Sequence, residues 1–287
     1  MSSDIFQGQG ADPDLLAELY DLEHDAVVED LAFYREMTRR TRGAVLDVGC
    51  GSGRLFRSII EGGARRVVGV DGSAALLRRA EQRIAADPQL RAARDEGRLE
   101  LVHGDVRHLP ALNLGARLPG RGAALMVVAG VLPHLDGPED ALALLNGLAR
   151  LLAPDGSAVL DDLGPALLPE RDMPLSVDWQ RSVEGRTIVR RSQLTRRQAP
   201  EGVRVSFSTI VDVGYPDGTI ARLPAAYRLW YPSPDALDAL VREAGLAVEL
   251  AYGSHDLDPL DGDSERRILV VRHAVADGKG SRRGQAT

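Results

Sequence analysis

The chain has 287 residues, 42 acidic against 35 basic side chains, and a net charge of −7. That balance disfavours a general nucleic-acid binder, which carries a basic footprint, and no apolar run approaches the ~20 residues needed to span a bilayer. A hydrophobic fraction of 44% can bury a sizeable core, one cysteine (Cys50) excludes an internal disulfide, and the polar start "MSSDIFQGQGADPD" lacks a signal-peptide pattern, so a cytoplasmic protein that engages no membrane is expected.

Residues 1–14 read as loose, and the apolar spacing from Leu15 to about Arg40 predicts one helix. Val45–Val48 reads as a short buried strand, closed by the glycine-rich "GCGSG". A helix over 54–61, a strand over 66–70 ending on Asp71 and a helix over 73–87 follow. Strands are predicted at 99–103 and 123–129, a helix at 139–152 stopped by "APDG", and a strand at 157–163. Strands alternating with helices imply a parallel sheet with right-handed crossovers.

The rhythm then changes. Alternating runs such as "RTIVRRSQLT" and "VRVSFSTIVDV", punctuated by "APEG" and "YPDG", predict inserted antiparallel strands over 175–231. The α/β rhythm resumes with a helix at 233–244 and strands at 246–252 and 267–273. The expected organisation is a core over 1–174 with a helical N-terminal cover, an inserted β lid over 175–231 and a return to the core over 232–274. Residues 275–287 hold too little apolar surface to fold and are expected to be disordered. The fold class is therefore α/β: a seven-stranded, mostly parallel, Rossmann-like sheet with helices on both faces, plus the inserted lid.

Glycines fall at Gly49, Gly51 and Gly53 in "VLDVGCGSGR". Such a turn after a first strand suits a phosphate at a helix terminus or a ligand lying against bare backbone. The dinucleotide spacing G-x-G-x-x-G fails because Arg54 occupies its third glycine position, and the segment has no lysine for a phosphate loop. Asp71, in "VVGVDGS" at the end of the second strand, can accept both hydroxyls of a ribose, or it can cap the next helix. Asp105, just past the third strand, can accept from an adenine amino group or act as a turn aspartate.

In order, "LDVGCGSGR" (46–54), "VVGVDGS" (67–73), "LVHGDVRHLP" (101–110) and "LLAPDGSAVL" (151–160) resemble the class I S-adenosylmethionine-dependent methyltransferases. Each motif alone is weak; the series of four is specific, and the likeness covers roughly 15–163 and 233–273. The opening "LYDLEHDAVVEDLAFY" and the closing "YGSHDLDPLDGDSERRILVVRHA" are similar to small-molecule members. The resemblance implies S-adenosylmethionine as cofactor. Backbone at Gly49, Gly51 and Gly53 would face its methionine part, Asp71 and Gly72 its ribose, and Asp105 with the Val106 N–H its adenine. Asp47 would orient the loop or bind the cofactor's amino group. Many relatives open the fourth strand with an acid, absent here, so backbone near Ala129 would take over contacts with the ammonium. "VLPHL" resembles the segment of glycine N-methyltransferase-like enzymes that brings a histidine to the cofactor. That makes His134 the leading candidate, as cofactor contact, base or structural cap. Tyr20 matches a tyrosine that covers the cofactor, with core packing as the alternative.

The expected reaction is in-line methyl transfer to nitrogen or oxygen of a small-molecule acceptor. On the acceptor side, Trp179, Tyr227, Trp230 and His255 are candidates, with Tyr215 and Tyr231 nearby, against the plainer reading of a packed sheet or a homodimer face. Asp161 and Asp162 stand where some O-methyltransferases place a metal ligand, but no third and fourth ligand is visible and no metal is expected. The lid's arginines read as a solvated face, or as a site for an anionic acceptor or RNA. Alternatives are an RNA or protein methyltransferase and a non-catalytic cofactor-binding protein.

Overall fold

The computed structural model describes residues 12–274. The predicted tail, 275–287, and the chain before residue 12 lie outside them. Asp12 starts helix α1 (Pro13–His24): its carboxylate accepts from the Asp14 N–H, and Pro13 opens the first turn, where its missing N–H costs nothing. The single helix expected over Leu15–Arg40 is two, α1 and α2 (Leu31–Thr41). Between them Arg54 donates to the Val27 carbonyl (2.8 Å) and to Asp30 (2.7 Å), pulling the β-branched pair Val27-Val28 out of helical geometry.

Strand β1 (Ala44–Val48), helix α3 (Phe56–Glu61), strand β2 (Arg66–Asp71) and helix α4 (Ala74–Ala86) follow. Sequence periodicity did not resolve the next helix, α5 (Pro88–Asp95). Pro88 forces Asp87 into extended backbone (φ −95°, ψ 118°), ending α4, and the Asp87 carboxylate then caps α5 through the Gln89 and Leu90 N–H groups. Strand β3 (Leu99–His103), a 3₁₀ turn (Val106–Leu112), strand β4 (Ala123–Ala129) and helix α6 (Pro138–Leu151) come next. Strand β5 (Leu152–Leu163) begins five residues earlier than its apolar run suggests. Ala123 pairs with Leu152 and Leu125 with Ser157, so "APDG" becomes a bulge within the strand.

Four long strands, β6 (Met173–Val183), β7 (Arg186–Ala199), β8 (Gly202–Gly214) and β9 (Ile220–Pro232), form an antiparallel meander. Helix α7 (Pro234–Glu243) and strands β10 (Leu246–Tyr252) and β11 (Arg266–His273) complete the chain. The main sheet runs β10-β11-β5-β4-β1-β2-β3, with only β11 antiparallel to its neighbours. Its central strands are buried on both faces, as continuous apolar runs require. One face packs Leu46, Met126 and Val128 against α6 and α7; the other packs Val45, Leu125 and Val127 against α2 and α3.

The meander sits on the carboxyl ends of the main strands, with α1 between it and the core. Leu16 and Leu19 of α1 bury against Ile188, Val211, Val213 and Leu223 of the meander, and against Ala75 and Leu76 of α4. Full burial of such a side chain contributes roughly 1.5–3 kcal/mol. Truncating Ile188→Ala, fully buried in this contact, is expected to cost about 2–5 kcal/mol in denaturant unfolding. An unchanged free energy would mean that α1 and the meander are not held by this packing.

Candidate active site

The glycine loop leaves β1 and crosses to the end of β2. Both the Gly49 and Cys50 N–H groups donate to the Val70 carbonyl (2.8 and 3.0 Å), and the Gly51 N–H donates to the Asp71 carboxylate (2.8 Å). Gly49, Gly51 and Gly53 have φ of +73°, +55° and +75°, in the left-handed region where a side chain is strained. Space is also short: a Cβ on Gly49 would meet Val131 at 2.5 Å, and one on Gly53 would meet Phe56 at 2.4 Å. A Cβ on Gly51 would stand 3.4 Å from the Tyr20 hydroxyl. The following helix starts only at Phe56, so the loop presents bare backbone rather than a helix terminus.

Three carboxylates surround this loop. Asp47 is 3% exposed and its Oδ2 has no hydrogen-bond partner. Burial pushes it up to about 7, against the pull of Arg54 and with help from Asp71 and Asp30. Asp71 accepts from Gly51 N–H and from Ser73 N–H (2.8 Å each). Gly72 beside it offers its carbonyl to the His103 ring (3.0 Å). Asp105 caps the 3₁₀ turn that Val106 opens, accepting from Arg107 N–H (2.9 Å), and its oxygens are also gripped by the Arg107 guanidinium (2.6 Å at the shortest). Burial alone would raise Asp105; the Arg107 hydrogen bonds outweigh it and hold the carboxyl below its usual range.

Tyr20 and His134 lie where two cavities join. A cleft of about 530 Å³ opens at the carboxyl ends of β4 and β5, lined by Tyr20, Ala129, Gly130, His134, Asp162 and His255 among others. An arm of about 260 Å³ runs under the meander, walled by Leu16, Leu19, Phe207, Val211, Tyr227 and Leu229. Tyr20, His24 and His134 border both. Tyr20 stacks on His24 at 3.8 Å, and burial, then the Asp71 charge, pushes its phenol well above the ordinary range. His134 ends a 3₁₀ turn (Leu132–His134) and meets Tyr227 edge-on at 6.4 Å. His134 is exposed on the cleft wall; the protein crowded around it, with His24 adding to it, pushes its ring below the usual histidine range.

Asp161, buried at the end of β5, gathers three partners: the Tyr34 hydroxyl (2.7 Å), His255 Nε2 (2.8 Å) and Arg266 Nε (3.0 Å). They pull its carboxyl down although burial alone would raise it. Tyr34 and Arg266 left no sign in the sequence; they lie 127 and 105 residues from Asp161, and no local pattern links such positions. Of the four acceptor-side candidates, Tyr227 and His255 line the cavities and the tryptophans do not. Trp230 is 1% exposed within the core. Trp179 packs where α1 meets the meander, with the Arg181 guanidinium 4.8 Å over its ring. The meander's arginines are largely spent on carboxylates: Arg186 on Glu18, Arg190 on Glu23 and Asp178, Arg191 on Asp212, Arg204 on Glu201. They form ion pairs, not a stripe leading to the cleft. Among the described residues no group of three potential metal ligands occurs, and no helix is long and apolar enough to cross a membrane.

A family model described as a methyltransferase domain matches residues 45–156, from β1 to the bulge of β5. Cypemycin N-terminal methyltransferase from Streptomyces sp is 32% identical over 243 residues, 83% of this chain and 85% of that protein. The chain belongs to the class I S-adenosylmethionine-dependent methyltransferases. Among solved structures, the methyltransferase CcbJ from Streptomyces caelestis shares the fold with a TM-score of 0.74 at 21% identity, over 96% of this chain and 100% of that one. The sugar N-methyltransferase KedS8 from Streptoalloteichus sp ATCC 53650 shares it with a TM-score of 0.63 at 20% identity, over 89% and 93%. The methyltransferase's residues fit its cofactor. The loop has no room for side chains, and the buried Oδ2 of Asp47 stands without a partner beside it, an arrangement compatible with a ligand that has a cationic end.

Asp71 has a structural duty in this methyltransferase that can be read without any ligand. Asp71→Asn replaces one acceptor oxygen by an N–H donor facing a backbone N–H. The expected cost is about 1–3 kcal/mol of stability, with faster hydrogen exchange at the Gly51 or Ser73 amide. Unchanged exchange at both would show that the carboxylate does not hold the loop.

Proposed function

We propose that this methyltransferase methylates the amine nitrogen of a small, partly apolar molecule. One observation carries the reading: the cleft at the ends of β4 and β5 is lined by six carboxylates, Glu29, Asp30, Asp161, Asp162, Asp256 and Glu265, against two guanidiniums, Arg54 and Arg266. Both guanidiniums are already committed, to Asp30 and Asp161. A cleft with surplus negative charge favours a cationic visitor, and the apolar arm beside it suits the rest of such a molecule. Two relatives bear names that accord with nitrogen: one is an N-terminal methyltransferase of cypemycin, the other a sugar N-methyltransferase.

Bound S-adenosylmethionine supplies a methyl group already activated on a sulfonium. The amine that arrives as an ammonium must first release a proton, to solvent or to a cleft carboxylate, before its lone pair can displace the sulfur from the methyl. The chain's further task is to hold that nitrogen in line and keep water out, for which orientation alone contributes roughly 7–11 kcal/mol in favourable cases. In this reading Gly49, Gly51 and Gly53 admit the methionine part to the backbone, and Asp47 takes its ammonium with help from the Ala129 carbonyl. Asp71, beside Gly72, takes the ribose hydroxyls; a carboxylate offers about four acceptor positions, enough for loop amides and hydroxyls together. Val106 N–H and the outer edge of Asp105 receive the adenine, with Arg107 fixing that carboxylate in place. Tyr20 closes over the sulfonium from α1. His134 lines the cleft as a hydrogen-bond acceptor, its lowered basicity favouring the neutral ring. Tyr227 and His255 border the acceptor.

We place the reaction in the cytoplasm, on the cysteine usage, and assign the chain to a homodimer through the meander. Strand β6 is its edge and exposes Met173, Leu175 and Val177, each more than half accessible. Paired β6 edges of two copies would cover them. Sedimentation should then give twice the chain mass, and Val177→Lys half of that; a monomeric parent chain removes the assignment.

The reaction is tested by incubating the protein with S-adenosylmethionine and a panel of small amines and the corresponding alcohols, followed by mass spectrometry. Methylated amines are expected, with no inflection in the pH–rate profile from His134 between pH 6 and 7. Methylation of alcohols alone would overturn the amine reading. A second outcome concerns Asp47. Its carboxyl must lose a proton to pair with an ammonium, so cofactor affinity in calorimetry should rise about tenfold per pH unit from pH 5 towards 7 and then level off. A flat profile would separate Asp47 from the cofactor's amino group.

A further inference from the structure

One buried carboxylate in the cleft is used by none of the contacts above. Asp162 is the neighbour of Asp161 on β5, so its side chain points to the opposite face of the sheet. It is 2% exposed, borders the cleft, and its Oδ1 has no hydrogen-bond partner. Its cross-strand neighbour is Arg267 on β11, the obvious counter-ion. Yet Arg267 donates to the Pro232 carbonyl (2.7 Å) and forms no ion pair with Asp162 among the described residues. Asp161, one residue away, is by contrast fully engaged. A buried carboxyl without a hydrogen-bond partner is costly to ionise, and the charges of Arg267 and Arg266 offset only part of that cost. The missing partner is a hydrogen-bond donor, and the side of Asp162 that faces open space faces the acceptor cleft.

We propose that Asp162 is the anchor for the acceptor's amino group: an amine N–H donates to its carboxylate, which orients the nitrogen towards the methyl while the apolar arm holds the body of the molecule. The ligand class is an aliphatic amine on an apolar frame. This rests on the amine reading given above and assigns that reading a specificity residue. Burial, with Asp161 adding to it, pushes Asp162 up to about 7 against the pull of Arg267 and Arg266. Tyr231 faces it from β9, and His255 and Asp256 stand across the cleft. A carboxyl raised above its unfolded value holds its proton in the folded state. Ionising it therefore drains stability as pH rises from about 4 to 7, a loss that an asparagine does not suffer.

The test compares the full-length protein with Asp162→Asn, both with S-adenosylhomocysteine bound, by thermal unfolding at pH 5 and pH 8. The probes are 2-phenylethylamine and 2-phenylethanol at millimolar concentration. The variant should melt higher than the parent at pH 8, by about 2 °C or more, with the gap shrinking at pH 5. The amine should raise the midpoint of the parent but not of the variant, and the alcohol should act equally on both. A variant that melts lower at pH 8 or fails to fold would make Asp162 the structural partner of Arg267 and overturn the proposal, as would an amine that stabilises neither protein or both alike. The outcome is distinguishable from failure of the amine reading. If the panel yields methylated amines and Asp162→Asn keeps its kcat/KM for them, only the anchor falls; if the panel yields methyl ethers alone, the amine reading falls first.

Discussion

The end of β2 is the fixed point of the molecule. Val70 gives its carbonyl to two consecutive loop amides, and Asp71 gives its carboxylate to a third and to the first turn of α4. These bonds force the chain to turn left-handed three times within five residues, which only glycine does without strain. Everything near the reaction centre follows from that bend. Val131 and Phe56 fill the room that side chains on the loop would take, and Tyr20 reaches across to Gly51. Arg54, held at the end of the loop, breaks the N-terminal helix in two and so sets where α1 lies.

The carboxylates of the site divide into two kinds, and the division follows from how each is satisfied. Asp71, Asp105 and Asp161 are gripped by backbone amides, arginine, tyrosine or histidine, and act as rigid struts. Asp47 and Asp162 are buried without such partners, and both sit near 7. A strut stabilises the apo fold. A partnerless carboxylate weakens it and is released from that cost by a ligand that brings a donor. Their positions differ: one lies beside the glycine loop, the other borders the cleft at the ends of β4 and β5.

Much of the core was legible because its signals are local. The run at β4 is apolar from end to end, those at β3 and β10 are apolar apart from Glu100, His103 and Glu249, and the limits of all three match the residues predicted. The glycine turn is likewise announced by its spacing, whereas the cofactor roles of Asp71 and Asp105 rest on the family resemblance. What was illegible depends on partners distant in the chain. Nothing near Leu15–Arg40 says that Arg54 will interrupt the helix. Tyr34, His255 and Arg266 meet on Asp161 only because four elements converge there. Trp230 looked like a cleft aromatic by its neighbours Tyr227 and Tyr231, but strand alternation sends it to the core. The Asp87-Pro88 boundary was readable in principle, since proline biases its predecessor to extended backbone.

Helix α1 joins the two halves of the molecule with side chains of alternating duty. Its apolar residues bury, while Asp14 and Asp21 reach Arg78 and Arg79 of α4, and Glu18 and Glu23 reach Arg186 and Arg190 of β7. The exposed Asp14–Arg78 pair contributes at most about 1 kcal/mol and is screened over roughly 8 Å at physiological ionic strength, while the other three are more buried and screened less. The roof over the cleft is thus pinned first by oil, with ion pairs around its rim. Brine loosens the outermost of those pairs and leaves the apolar pins in place, so added salt should fray the first turn of α1 long before it lifts the roof.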